Sequence, residues 1–205
     1  TVTDIYLSKL LKIDTLIHIL NSIVRIQKNN YIDDNNNIYD NYATKLIKRY
    51  NNYDYSLFKD SKIIYENLLI KLQKYEKNNC GKKTIIHGDP VFSNIIINNY
   101  DKIKFIDMRG KLGNNLSICG DWLYDWSKIY QSLIGYDEIL LSKTIDVKYK
   151  QNMIETFKKY FIDKYSIKDF ENLKIITKSL IFTLIPLHNN EKCNNYYNLL
   201  FSNYF

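Results

Sequence analysis

The most chemically legible residues lie between positions 84 and 107, TIIHGDPVFSNIIINNYDKIKFID. Within this stretch stand His87-Gly88-Asp89, then Asn94 five residues after that aspartate, then Asp107 at its end. Asp89, Asn94 and Asp107 all carry hard side-chain oxygens, the donors that Mg²⁺ prefers. That ion keeps several waters and takes phosphate oxygens, so two protein ligands suffice. Transfer of a phosphoryl group to a hydroxyl also needs a group that accepts or orients the hydroxyl proton. In this reading Asp89 faces a substrate hydroxyl while Asn94 and Asp107 hold the cation. His87 shapes the loop through its ring rather than serving as the base, and Gly88 relaxes the bend. The plainer alternative makes His87, Asp89 and Asn94 turn residues only, but residue type, order and spacing agree together against it.

These residues need elements to position them. Two apolar runs, 95–97 and 103–106, flank Asn98-Asn99-Tyr100-Asp101, which predicts a hairpin with a polar tip; a loop holding His87, Gly88, Asp89 and Asn94 feeds it, and the hairpin unit begins at about Thr84. Ahead of it, Leu7, Leu10, Leu11, Leu16, Leu20 and Val24 recur at three-and-four spacing, which predicts one amphipathic helix over 4–26. His18 reads as an ordinary residue of that helix. Residues 29–40, dominated by Asn and Asp, read as a mobile surface loop. Helices follow at 40–50 and 58–78, the second with Ile63, Ile64, Leu68, Leu69, Leu72 and Tyr75 on one face and closed by Asn78-Asn79-Cys80-Gly81.

After Asp107, residues 108–119 read as irregular. Asp121 is placed to cap a helix running to about 134, with Asp125 one turn later. The aromatics of that helix, Trp122, Tyr124, Trp126 and Tyr130, read as packing residues rather than a stacking platform for bases, which is usually set on a sheet with basic flanks. Further helices are predicted at 148–164, 167–185 (ended near Pro186) and 189–201. The expected fold is a single domain over 1–205, mostly α with a small β-hairpin insertion.

Composition narrows the classes. With 205 residues, 45% of them hydrophobic, the chain can fill one core of ordinary size. Cys80, Cys119 and Cys193 are widely spaced and outside any CxxC pattern, so neither a disulfide framework nor a zinc site is signalled, and a reducing cytoplasm is expected. Apolar stretches fall short of the roughly 20 residues that span a bilayer. The net charge of +7 is spread over scattered lysines in a chain rich in Asn, Ile, Lys and Tyr, which argues against nucleic acid as a partner.

His87-Gly88-Asp89 with Asn94, Ile106-Asp107 and then Gly120-Asp121 and Asp125 opening a helix resembles the aminoglycoside phosphotransferase and choline kinase family. The match covers about residues 84–130. The resemblance implies the C-terminal helical lobe of a protein-kinase-like fold, with Asp89 as catalytic base and Asn94 and Asp107 as magnesium ligands. It further implies Asp121 or Asp125 as a buttress of the catalytic loop, and ATP and a small hydroxyl compound as substrates. More loosely, the run from Lys128 to Asp137 is similar to kinase-like regions of capsular polysaccharide biosynthesis proteins, some of which also carry a sugar nucleotidyltransferase domain, and this implies a sugar or polyol pathway.

The sequence also departs from that family. Kinases of this fold cover the nucleotide with a Gly-rich loop on an N-terminal sheet. Here every glycine lies at or after Gly81, and the residues before it read as helices, so the N-terminal lobe is expected to be absent from this chain. Two explanations compete: a piece of a longer enzyme, which the start at Thr1 without a methionine favours, or a degenerate module that binds a ligand or partner without catalysis. Arg109, next to the expected metal site, suits bidentate contact with a phosphate of the nucleotide or with an anionic substrate, and equally a surface or structural role.

Overall fold

In the computed structural model, which describes residues 1–28, 35–98, 102–188 and 190–205, the chain opens with four helices. These are α1 (Val2–Leu7), α2 (Ile13–Gln27), α3 (Ala43–Asn51) and α4 (Ser61–Lys77). Short strands follow: β1 (Lys83–Ile85), β2 (Ile95–Ile97), β3 (Ile103–Phe105), β4 (Lys111–Leu112), β5 (Asn115–Leu116) and β6 (Cys119–Asp121). The chain then returns to helix with α5 (Trp122–Gln131), α6 (Asp137–Leu141), α7 (Val147–Lys164), α8 (Ile167–Leu184) and α9 (Asn190–Leu199). The fold is therefore mostly helical with small antiparallel sheets, as the periodicities predict.

Local chemistry explains the helix starts. The Asp146 carboxylate accepts the Tyr149 N–H to open α7, and the Ser166 hydroxyl accepts the Asp169 N–H to open α8, each satisfying a donor that has no partner inside its helix. Pro186 sits in a short 3-10 turn, Ile185–Leu187, that follows α8.

The centre is α5, buried from its first residue to its last. It packs chiefly against α8, and Trp126 meets Phe157 and Phe161 of α7 edge-on. A helix surrounded on all sides must find partners for its polar side chains, because an unpaired buried polar group costs about 1–3 kcal/mol. The aromatics Trp122, Tyr124, Trp126 and Tyr130 are core residues. Past Gln131 the helix widens into a π-type turn, Ser132–Tyr136, at Gly135, whose φ of 141° lies outside the helical range.

The structure revises three expectations. The helix expected over 4–26 is two helices, because Lys9 adopts a left-handed conformation (φ 61°) and the Ile5 carbonyl accepts the N–H groups of both Leu10 and Leu11. This break turns Leu10 outward, 69% exposed, and Leu11 inward, 2% exposed. Thr3 and Tyr6 hold α1 in place through hydrogen bonds to Asp137 Oδ1 (2.7 Å) and the Leu133 carbonyl (2.9 Å). Second, the segment at Thr84, expected to begin the hairpin unit, is a separate strand that pairs with β6 in the register Lys83↔Asp121, Thr84↔Gly120, Ile85↔Cys119. Gly120 permits that approach: a Cβ there would sit 2.4 Å from Ile86 Cδ1. The stretch 108–119 is accordingly not irregular but holds the β4–β5 ribbon and the start of β6. Third, Ile63 of α4 is exposed, whereas Leu68, Leu72 and Tyr75 are buried.

The β2–β3 hairpin forms as predicted, with Ile95↔Phe105, Ile96↔Lys104 and Ile97↔Ile103. Its expected tip at 99–101 and residues 29–34 of the expected Asn-rich loop lie outside the described residues. Among the described residues no helix is long and apolar enough to cross a membrane.

Candidate functional site

One stripe of α5 and the turn after it holds the loop 87–94 at four points, His87, Gly88, Asp89 and Phe92. Asp125 accepts the His87 N–H on Oδ2 and the Gly88 N–H on Oδ1, both at 2.8 Å. Three residues on, Lys128 Nζ lies 3.1 Å from Asp89 Oδ1. Four further on, the Ser132 hydroxyl accepts the Phe92 N–H at 3.0 Å. The spacing 125, 128, 132 is that of one helix face. Burial pushes the Asp125 carboxyl up to about 7, against the two N–H donors and Lys128, which favour its ionised form. Burial would lower the Lys128 pKa, but Tyr124 and Asp89 outweigh it and leave the ammonium above its ordinary value.

Asp89 thus projects from a loop whose backbone is clamped beneath it, its side chain still 41% exposed. The loop is also closed from within: Asn94 Nδ2 donates to the Asp89 carbonyl at 2.9 Å, and the Asp89 N–H donates to His87 Nδ1 at 3.3 Å. His87 is buried, which lowers its pKa, with the Ile106 backbone, Asp89 and Asp107 acting in the opposite direction. Its Nδ1 is occupied as an acceptor, so the ring shapes the loop. Across the hairpin the Asn94 carbonyl accepts the Ile106 N–H, and the His87 carbonyl accepts the Arg109 N–H, both at 3.0 Å. The segments bearing Asp89, Asn94 and Asp107 are thereby brought to one end of the hairpin.

Asp107 is exposed and left-handed (φ 56°), a conformation that aspartate tolerates better than most non-glycine residues. Gly88 is also left-handed (φ 83°), and a Cβ there would lie 2.8 Å from Arg109 Cβ. The Gly88 bend and the Arg109 stem are therefore in direct contact.

Asp121 does not touch this loop. Its buried carboxylate accepts Tyr42 Oη (2.6 Å), Tyr75 Oη (2.8 Å) and the Lys82 N–H (3.0 Å), tying α3 and α4 to the β1–β6 pair. Burial raises its pKa, with those three donors opposing. The buttress of the loop is Asp125, and Asp121 joins the helices in front of it.

Arg109 and the packing residue Tyr124 complete the arrangement, together with lysines that sequence reasoning did not single out. Arg109 Nη1 donates to Tyr124 Oη at 2.9 Å, and Lys128 lies over the Tyr124 ring, 5.9 Å from its centroid. Burial would raise the Tyr124 pKa, yet Lys45, Lys128 and Arg109 together bring it below its ordinary value. Beside Arg109 opens a cavity of about 710 Å³ whose lining includes Lys45, Lys48 and Arg49 of α3. Lys128 and Ser132 follow Asp125 at i+3 and i+7, a signal that was open to pattern reading once α5 was known to be buried.

The donors suit magnesium only as a partial set. Among the described residues no group of three or more His, Cys, Asp or Glu side chains converges. The Asn94 amide commits its nitrogen to the Asp89 carbonyl, which leaves its oxygen as the metal-ligating atom, and Asp107 presents an exposed carboxylate. Two hard oxygens fit an ion that draws its remaining ligands from water and phosphate.

Comparison of the chain with protein-family models, with characterised proteins and with solved structures returns no match.

Proposed function

We propose that this chain carries the catalytic loop of an ATP-dependent phosphotransferase acting on a hydroxyl of a small molecule, as the helical lobe of a protein-kinase-like enzyme related to the aminoglycoside phosphotransferases and choline kinases. The observation that carries the reading is Asp89: a half-exposed carboxylate, oriented by Lys128, on a loop whose N–H groups are gripped by Asp125. In the reaction the acceptor oxygen bonds to the γ-phosphorus, the bond from that phosphorus to the ADP oxygen breaks, and the hydroxyl proton passes to Asp89. General-base assistance of this kind contributes typically 10²–10⁴-fold. Lys128 and Asp125 position the carboxylate and its loop. Asn94 and Asp107 would hold magnesium, which supplies neutralisation of the polyphosphate charge. Arg109, whose stem touches the Gly88 bend, would supply a cation for a phosphate oxygen. The run 128–137 supports a sugar or polyol acceptor and a place in cytoplasmic polysaccharide or sugar-nucleotide metabolism.

A specific observation favours a second reading, a ligand-binding module without catalysis. The described residues ahead of β1 form helices, and the glycines begin at Gly81, so those residues include no glycine-rich strand pair to cover a nucleotide.

The test uses the intact gene product with ATP, magnesium and a panel of sugars, polyols and amino alcohols. Asp89→Asn should reduce phosphate transfer by about 10²-fold or more while the circular dichroism spectrum is retained. Transfer at the wild-type rate would remove Asp89 from the chemistry. Absence of magnesium-dependent nucleotide binding would favour the second reading.

A further inference from the structure

The cavity beside the candidate catalytic loop has a charge pattern that the phosphotransferase reading does not require. Helix α3 lines it with Lys45, Lys48 and Arg49, spaced i, i+3 and i+4, and Asn52 just past its end continues the same stripe. Arg109 closes the side towards Gly88, and the β4–β5 turn closes the side towards Asp40. Four cations and a single carboxylate, Asp40, thus line about 710 Å³. Among the described residues no carboxylate lies within ion-pair distance of Lys45, Lys48, Arg49 or Arg109. Lys45 is pressed further: burial lowers its pKa, and Lys128 and Arg109 lower it again, with only Tyr124 opposing.

Like charges gathered in a concave site with a single carboxylate among them repel one another and raise the local concentration of anions. Two arginines add planar donor forks that match phosphate oxygens in pairs. The geometry points to a phosphate ester as the occupant: the hydroxyl acceptor already carries a phosphate group, which docks on Lys45, Lys48, Arg49 and Arg109 and leaves the rest of the molecule directed towards Asp89. The link to the loop is physical, since Arg109 touches both the cavity and Gly88, and Tyr124 joins Arg109 to Lys128. The identity of the anchoring group rests on the cavity, and only the hydroxyl's role as acceptor rests on the phosphotransferase reading.

Binding separates the two. Isothermal titration of the protein with glycerol 3-phosphate should give saturable binding that weakens with added sodium chloride, whereas glycerol at equal concentration should not bind. Glycerate, bearing a carboxylate instead, should bind more weakly than the ester. Lys48→Ala/Arg49→Ala should lower the affinity for glycerol 3-phosphate by about tenfold or more, the loss expected from removing charge-assisted hydrogen bonds. A Lys45→Ala variant, read the same way, guards against misfolding of the double variant. Glycerol binding as tightly as its phosphate, glycerate binding more tightly than the ester, or affinity unchanged in both variants would overturn the assignment. Saturable ester binding without transfer from ATP to any acceptor would leave the cavity assignment standing and overturn the phosphotransferase reading instead. Transfer to neutral polyols with no ester binding would do the reverse.

Discussion

Lys128 offers the sharpest test of how the loop is held. Its side chain is 10% exposed and its ammonium meets Asp89 at 3.1 Å, while the Asp89 side chain is 41% exposed. Breaking a fully buried pair by removing one partner typically costs about 3–5 kcal/mol, because a buried charge is left uncompensated. Here the carboxylate side is open to water, which screens the interaction, so Asp89→Ala should destabilise by about 1–3 kcal/mol. Lys128→Met removes the buried charge itself and leaves Asp89 free to hydrate, so its cost should be below about 1 kcal/mol. The double variant should then resemble Lys128→Met, so the coupling equals the cost of Asp89→Ala, about 1–3 kcal/mol. Urea denaturation of the four proteins at pH 7, with slopes checked for constancy, measures this directly. Effects that add within about 0.5 kcal/mol would mean that the ion pair does not hold the loop.

Other expectations follow from the same contacts. Gly88→Ala should destabilise by about 1–3 kcal/mol, since φ is 83° and the new Cβ meets Arg109 Cβ; a thermal midpoint equal to wild type would refute the bend's dependence on glycine. Tyr42→Phe should cost about 1.5–3 kcal/mol in urea, because it strips one donor from the buried Asp121 carboxylate; a neutral result would mean that Tyr75 and Lys82 satisfy it alone. Burial pushes Asp125 up to about 7 and Asp137 up to about 6, so the folded chain holds these protons more tightly than the unfolded chain does. Their contribution to stability is full below about pH 4, near the unfolded carboxylate value, and is lost as pH rises through about 6 to 7. Buried His87 acts in the opposite direction in the same interval, so the check is the difference: between pH 5 and pH 8 the urea midpoint of wild type should fall relative to that of Asp137→Asn, and an unchanged difference would contradict the burial of Asp137.

What was legible in the sequence was local. The apolar triplets at 95–97 and 103–105 marked the hairpin because a strand needs only a few consecutive residues of the right kind. The long helices were equally visible from their periodicity. Pairing of β1 with β6 was not legible, since its determinant, the missing side chain of Gly120, acts on a residue far away in sequence. The break between α1 and α2 was hidden because Leu7, Leu10 and Leu11 keep helical spacing across it, although Leu10 faces solvent. At the site, Asp89, Asn94 and Asp107 stood out by spacing, whereas Lys128 and Ser132 did not. Their significance depends on α5 being buried all round, a property of the assembled helices rather than of any window of sequence.

Because the stripe that grips loop 87–94 belongs to the central helix, the loop shares the fate of the core. The amide protons of His87 and Gly88, although they sit in a loop, are bonded to a fully buried carboxylate on the central helix. Their hydrogen exchange should accordingly be as slow as that of α5 itself and should track global unfolding, as it does for amides in the most stable cooperative unit of a protein. Substitutions that thin the packing around Trp126, remote from any ligand, would then loosen the position of Asp89 in proportion to the stability they remove.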